Sequence, residues 1–228
     1  MGSRLLGYRA RCLSEMLGTY TLVLVGPSSV VLASLTTLPA AVKLFAVAAV
    51  FGLTVACLVI ALAERSGANI NPGITVATLA AGSSEERMFL PYVISQVIGG
   101  VAAGLTLEVI FESLSSSDYL GSTKLAAGVS PVEGTVLEVL GTFVLAMSAL
   151  FASTIFKAKS RQAFFVGGTL FILILLIGPF TGASFNPARS LGPSLFSGYF
   201  DSQWVYWVGP LLGGACAGLI FRHYGKAQ

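Results

Sequence analysis

Charge is what this 228-residue chain has least of. Asp, Glu, Lys and Arg make up 10% of it, where a soluble domain carries about a quarter. So few charges cannot solvate the surface of a globule this size, which excludes an ordinary water-soluble fold. The single histidine, His223, stands near the C-terminal end, so a His-based zinc site and a His-dependent catalytic dyad are excluded by inventory. The three cysteines, Cys12, Cys57 and Cys216, are odd in number, lie within or beside apolar runs and form no C-x-x-C pair. They read as small apolar packing residues rather than a disulfide or metal framework. There is no Gly-rich phosphate loop. Neither an enzyme nor a cofactor protein is expected, and the net charge of +3 is too small to point to nucleic acid.

What the chain has instead is apolar sequence. Hydrophobic residues make up 55% of it and the mean hydropathy is +0.85. The runs are long enough to cross a ~30 Å hydrocarbon layer, which takes about 20 helical residues. Six spans are predicted, at 12–35, 40–62, 88–111, 132–156, 162–179 and 203–221. Their length and Leu/Ala/Val/Gly composition call for helices and not a barrel. The first run is too long for a cleaved signal peptide and no A-x-A-like site follows it.

If the spans alternate, Arg4, Arg9, Arg11, Arg65, Arg87, Lys157, Lys159, Arg161, Arg222 and Lys226 share one side, and only Lys43 and Lys124 take the other. By the positive-inside rule both termini are cytoplasmic, in a multi-pass protein of the cell membrane. Arg189 is the exception, placed just after "FILILLIGPF" inside "GASFNPARS".

That stretch has a twin. Asn71, in "GANINPGIT", lies 115 residues before Asn186. With the two asparagines aligned and loop lengths left free to differ, "LSEMLGTYTLVL" matches "VLEVLGTFVLAM", Glu15 falls on Glu138, Gly52 on Gly167, and "QVIGGVAAGL" matches "PLLGGACAGL". Each half, about 8–113 and about 130–224 of a single 1–228 domain, is then span, span, Asn-Pro segment, span. Three spans per half is odd, so the second half is inserted upside down. Asn is a preferred N-cap and Pro a preferred first helical residue. Residues 72–82 and 187–197 are therefore expected as short helices, about 16 Å long, meeting head to head in mid-membrane. Non-helical backbone at that depth is tolerated only where it lines water. Gly67, Ala68, Asn69 and Ile70, and Gly182, Ala183, Ser184 and Phe185, are accordingly expected to turn their carbonyls into a pore.

These motifs, "SEMLGT", "SGANINPGIT", "EVLGTF", "TGASFNPARSLGP" and "WVGPLLGG", resemble the aquaporins of the major intrinsic protein family, in order and spacing over essentially the whole chain. The first motif departs from the family's Asn-Pro-Ala, with Gly73 in place of Ala. The resemblance implies an all-α membrane fold of six transmembrane helices and two re-entrant half-helices, passive conduction of water and a small uncharged solute, no cofactor, a lipid bilayer as surroundings and a homotetramer. It assigns Asn71 and Asn186 to a central constriction, where their amides and two positive half-helix ends act on one water.

It also places Phe51, Ile174, Ala183 and Arg189 in an outer selectivity filter. Water-selective relatives usually carry His where Ile174 stands, so the ring is more apolar here, somewhat as in archaeal aquaporins. Glycerol channels follow the motif Arg with Asp, whereas this chain has Ser190, and they lack the pair Tyr206–Trp207. The alternative within the class is a facilitator for glycerol, ammonia or a similar neutral solute. The alternative outside it is a proton-coupled transporter. Glu15 and Glu138, both inside spans, read either as proton relays or as acceptors bracing the re-entrant backbone, and their repeat symmetry favours bracing. Glu108 and Glu112, near the end of the third span, are expected to be solvated. "GGVAAG" and "GGACAG" are assigned to close helix packing within one chain.

Overall fold

The computed structural model describes residues 2–111 and 119–224, with side chains from residue 7 onward. Glu112, Lys226 and the side chain of Arg4 thus lie outside the described residues. Eight helices account for most of it: α1 (Gly2–Ser34), α2 (Ala40–Ser66), α3 (Pro72–Ala80), α4 (Phe89–Phe111), α5 (Pro131–Ile155), α6 (Lys159–Thr181), α7 (Pro187–Ser197) and α8 (Val205–Tyr224). Among the described residues there is no strand. Six of the helices are long and apolar enough to cross a membrane.

Several helices outrun the expected spans, because capping and not hydropathy ends them. α2 continues past residue 62 through the charged pair Glu64–Arg65 and stops where Gly67 turns left-handed, at φ 95°. α6 likewise continues past residue 179 to Gly182, φ 77°. α5 starts one residue before the expected span, at a capping box in which Ser130 and Glu133 bond each other's backbone N–H. α3 is shorter than expected. It ends at Ala80 because Gly82, φ 65°, closes a Schellman motif: the Gly82 N–H donates to the Leu79 carbonyl and the Ser83 N–H to the Thr78 carbonyl, both at 2.9 Å.

Packing repeats between the halves. α1 lies on α2 and α4, and α5 correspondingly on α6 and α8. The two second helices, α2 and α6, pack on each other across the middle, crossing where Gly52 faces the Gly167 backbone. Each half-helix leaves its own half: α3 packs mainly on α8, and α7 mainly on α4. Small residues permit this. A Cβ on Gly100 would stand 2.5 Å from the Ala188 carbonyl oxygen of α7, and Gly214 leaves no room for one beside the Gly73 carbonyl of α3. The Gly-rich stretches of α4 and α8 are thus the seats of the two half-helices.

Gly73 itself is sterically required. An added Cβ would lie 2.9 Å from the Pro210 carbonyl oxygen, 3.2 Å from Asn71 Oδ1 and 3.2 Å from Thr142 Cγ2. Backbone, not a flexible side-chain end, would have to yield, at a typical cost of about 1–3 kcal/mol for overpacking. Gly73→Ala is therefore expected to lower thermal stability in detergent although it restores the family's usual triplet. A Tm equal to or above the parent's would show that the α3–α8 contact relaxes freely.

Candidate pore and its constrictions

The re-entrant backbone is strained in the same way in both halves. Left-handed φ values occur at Gly67, Ala68 (52°) and Ile70 (46°), and at Gly182, Ala183 (46°) and Phe185 (53°). A non-glycine residue in this region costs roughly 1–2 kcal/mol, so it persists only where surroundings over-determine it. The buried carboxylates supply that restraint. Glu15, fully buried on α1, accepts from the N–H groups of Asn69 (3.1 Å) and Ile70 (2.6 Å) and from Gln96 Nε2 (2.8 Å). Glu138, fully buried on α5, accepts from the N–H groups of Ser184 (3.0 Å) and Phe185 (2.7 Å) and from the Thr181 hydroxyl (2.7 Å).

A second symmetric layer went unread in the sequence. The Ser66 and Thr181 hydroxyls, at the ends of α2 and α6, accept from the N–H groups of Ala68 (3.1 Å) and Ala183 (3.0 Å). The backbone carbonyls of the same two residues accept from the hydroxyls of Tyr92 (2.7 Å) and Tyr206 (2.9 Å). Tyr206, read above only as half of an aromatic pair, is therefore a fully buried support for the second loop. The signal that could have found this layer was the repeat register, which sets Tyr92 on Tyr206 and Ser66 on Thr181.

At the centre each asparagine does two jobs. Asn71 Oδ1 caps α3 by accepting from the Gly73 N–H (2.7 Å), and its Nδ2 donates across the pseudo-symmetry axis to the Phe185 carbonyl (2.7 Å). Asn186 Oδ1 accepts from the Ala188 N–H (3.0 Å) and the Arg189 N–H (3.3 Å), and its Nδ2 donates to the Ile70 carbonyl (3.0 Å). These bonds leave one Nδ2 hydrogen on each side chain.

A cavity of about 600 Å³ passes this point. It opens on the face that carries the start of α1, between Arg11, Glu85 and Lys159. It then runs past Gly67–Asn71 and between apolar walls that include Val55, Ile74 and Leu145. It ends at the level of Phe51, Ala183 and Arg189. Of the expected loop residues, Gly67, Ala68, Asn69, Ile70, Ala183 and Ser184 line it, whereas Gly182 and Phe185 do not. Phe185 is fully buried, with its ring against Gly141, so only its carbonyl reaches the centre.

Three of the four expected ring residues, Phe51, Ala183 and Arg189, line the cavity. The Arg189 guanidinium lies over the Phe51 ring, 5.1 Å from its centroid, and its Nη1 donates to the Gly121 carbonyl at 2.9 Å. Ile174 is buried in the same core cluster as Phe51 and Ala183, yet it does not line the cavity.

At the open end, Arg11 donates to Glu85 (2.6 Å) and to the Tyr92 hydroxyl (2.9 Å), joining the mouth to the brace of the first loop. The hydrogen bonds from Arg11 and Arg87 hold the exposed Glu85 carboxyl below the usual carboxylate range. Cys57 and Cys216 are exposed on the outer face instead of packed in the core, and Cys12 is partly buried. Glu108 is partly exposed.

Two re-entrant half-helices meeting beside this long cavity, inside a six-span inverted repeat, define a membrane channel architecture. The chain belongs to the major intrinsic protein family, whose model matches residues 4–221. It is 34% identical to Aquaporin NIP1-1 of Arabidopsis thaliana, over 93% of this chain and 72% of that protein. It is 38% identical to the lens fiber major intrinsic protein of Gallus gallus, over 92% and 79% respectively. Among solved structures, the aquaglyceroporin from Plasmodium falciparum superimposes with a TM-score of 0.83, covering 96% of each chain at 20% identity. That likeness confirms the fold.

Proposed function

We propose that the protein is a passive pore for water that also admits a small uncharged solute and excludes protons and ions. The observation that carries this is the pair Asn71–Asn186. Each is fixed by its own half-helix on one side and by the opposite loop on the other, which leaves an N–H donor on each to face the cavity. A water between two such donors and two positive helix ends must accept from both, which interrupts a continuous proton wire. In this reading Phe51, Ile174, Ala183 and Arg189 form the outer filter, with Ile174 as its apolar backing. Glu15 and Glu138 are braces, and the loop carbonyls replace part of a permeant's hydration. The protein sits in the cell membrane with both termini in the cytoplasm. Its exposed apolar residues, such as Leu53, Val109 and Leu176, face lipid and the neighbouring subunits of a homotetramer.

The proton-coupled alternative requires a titratable group that meets the permeant near mid-membrane. Glu15 and Glu138 do not line the cavity, and its lining carboxylates, Glu64 and Glu85, belong to the mouth. The deciding experiment is stopped-flow light scattering on proteoliposomes. Water permeability is expected to exceed that of protein-free vesicles, with a low activation energy and no dependence on a proton gradient. An activation energy equal to that of bare lipid overturns the channel reading.

The position of Ala183 gives a separate check. The native cysteines do not line the cavity, so mercurial block of the parent is expected to be weak. Ala183→Cys is expected to create block that a thiol reductant reverses. Full block of the parent, abolished by Cys57→Ser, would put the wrong face of α2 toward the pore.

A further inference from the structure

The turn that holds Arg189 is itself strained. Tyr119, Leu120 and Gly121 are consecutive left-handed residues, with φ 46°, 56° and 70°. Side chains with a Cβ adopt this conformation singly and seldom in succession. Gly121 is confined as well, since an added Cβ would stand 2.6 Å from the Pro27 carbonyl oxygen of α1. The turn delivers one backbone group to the cavity's end, the Gly121 carbonyl that takes Arg189 Nη1. A strained segment with such a task needs anchors on both sides.

The first anchor is Leu120, fully buried in a cluster with Val31, Leu107 and Phe111. The second is polar. Thr123, 1% exposed, shares a 2.8 Å hydrogen bond with the hydroxyl of Ser190, the residue after Arg189 on α7. Ser190 in turn bonds the Ser184 hydroxyl, which donates to the Asn186 carbonyl at 2.9 Å. Three buried hydroxyls thus link the 119–123 turn to the second re-entrant loop and to the central constriction. The backbone of Thr123 and Lys124 also packs against Gly182 at the start of that loop.

We infer that Thr123 is a positioning residue for Arg189: the Thr123–Ser190 hydroxyl pair sets the register between the 119–123 turn and α7. It thereby sets where the Gly121 carbonyl holds the guanidinium and how wide the filter stands. The inference rests on reading Arg189 as the filter's cation. Without the pair, the strained turn has one anchor less, and the guanidinium's acceptor shifts with it. Among the described residues Arg189 Nε is buried without a hydrogen-bond partner, so the Gly121 carbonyl is the acceptor that fixes the guanidinium there.

The test is the ratio of glycerol to water permeability in proteoliposomes, measured with the proton leak. The variants are Thr123→Val, Thr123→Ser, Ser190→Ala, the double variant Thr123→Val/Ser190→Ala, and Arg189→Val as reference. Thr123→Val is expected to raise the ratio on the order of fivefold, the size set by one buried hydrogen bond. Thr123→Ser should return it to the parent value, since it keeps the hydroxyl. The double variant should equal Ser190→Ala, because once the Ser190 hydroxyl is gone the Thr123 hydroxyl has no shared bond left to lose. If Thr123→Val fails to assemble, Ser190→Ala carries the comparison alone. A parental ratio in Thr123→Val and Ser190→Ala, with Arg189→Val displaced, overturns the inference, as does full additivity in the double variant. A parental ratio in Arg189→Val as well overturns the filter reading itself, and this inference falls with it.

Discussion

Glu138→Leu is expected to abolish water conduction and to prevent accumulation of folded protein. The carboxylate receives the Ser184 and Phe185 N–H groups and the Thr181 hydroxyl, all in a region closed to solvent. Leucine leaves those donors unsatisfied, each at about 1–3 kcal/mol, next to left-handed residues that already carry strain. The sum is comparable with the entire stability of a typical domain, about 5–15 kcal/mol. Glu138→Gln separates bracing from proton transfer. Its amide oxygen can still accept, so a partly active channel is expected, recovered in lower yield. Size-exclusion profiles in detergent and stopped-flow permeability read both effects. A well-folded, fully conducting Glu138→Leu protein would show that the second loop holds its shape without the brace. Glu15→Leu should behave alike, tempered by Gln96 and Thr75, which remain bonded to each other at 2.8 Å.

Arg189→Val is expected to yield a folded channel that leaks ions. Arg189 is 3% exposed, stacked on Phe51 and held by the Gly121 carbonyl, and among the described residues it is the only charged side chain lining the cavity from the two asparagines outward. A fixed charge in a narrow, low-dielectric conduit is a steep barrier to cations, because Coulomb energies there are several times larger than in water. Removing it should raise proton and cation leak by an order of magnitude or more, while water still passes the wider opening. The folding cost should be small, since valine also relieves a buried guanidinium whose Nε has no partner among the described residues. Current or pH-dye measurements on vesicles decide the matter. An unchanged ion barrier would remove Arg189 from the filter, whatever its position over Phe51.

What the amino-acid order determined by itself is everything that repeats or partitions. Scarcity of charge and long apolar runs dictate six membrane-crossing helices, because hydrocarbon tolerates no unpaired backbone. The register of Asn71 on Asn186 and of Glu15 on Glu138 encodes the inverted repeat and picks out the asparagines at its axis and the carboxylates beside each loop. Asn-Pro locates the start of each half-helix, through capping chemistry that acts within a few residues. All of these are local or periodic signals.

The remainder depends on distant backbone and was invisible until the halves were packed. Gly73 is required by the Pro210 carbonyl of another helix, and Arg189 is held by the carbonyl of Gly121 rather than by a side chain. Tyr206, which looked like a marker of channel type, is a strut beneath the second loop. Ile174, which spacing places in the ring, is buried in the same core cluster as Phe51 and Ala183. Only tertiary structure could decide these points. Carbonyl acceptors carry no residue identity, and a helix face is chosen by the packing of neighbours and not by spacing from a motif.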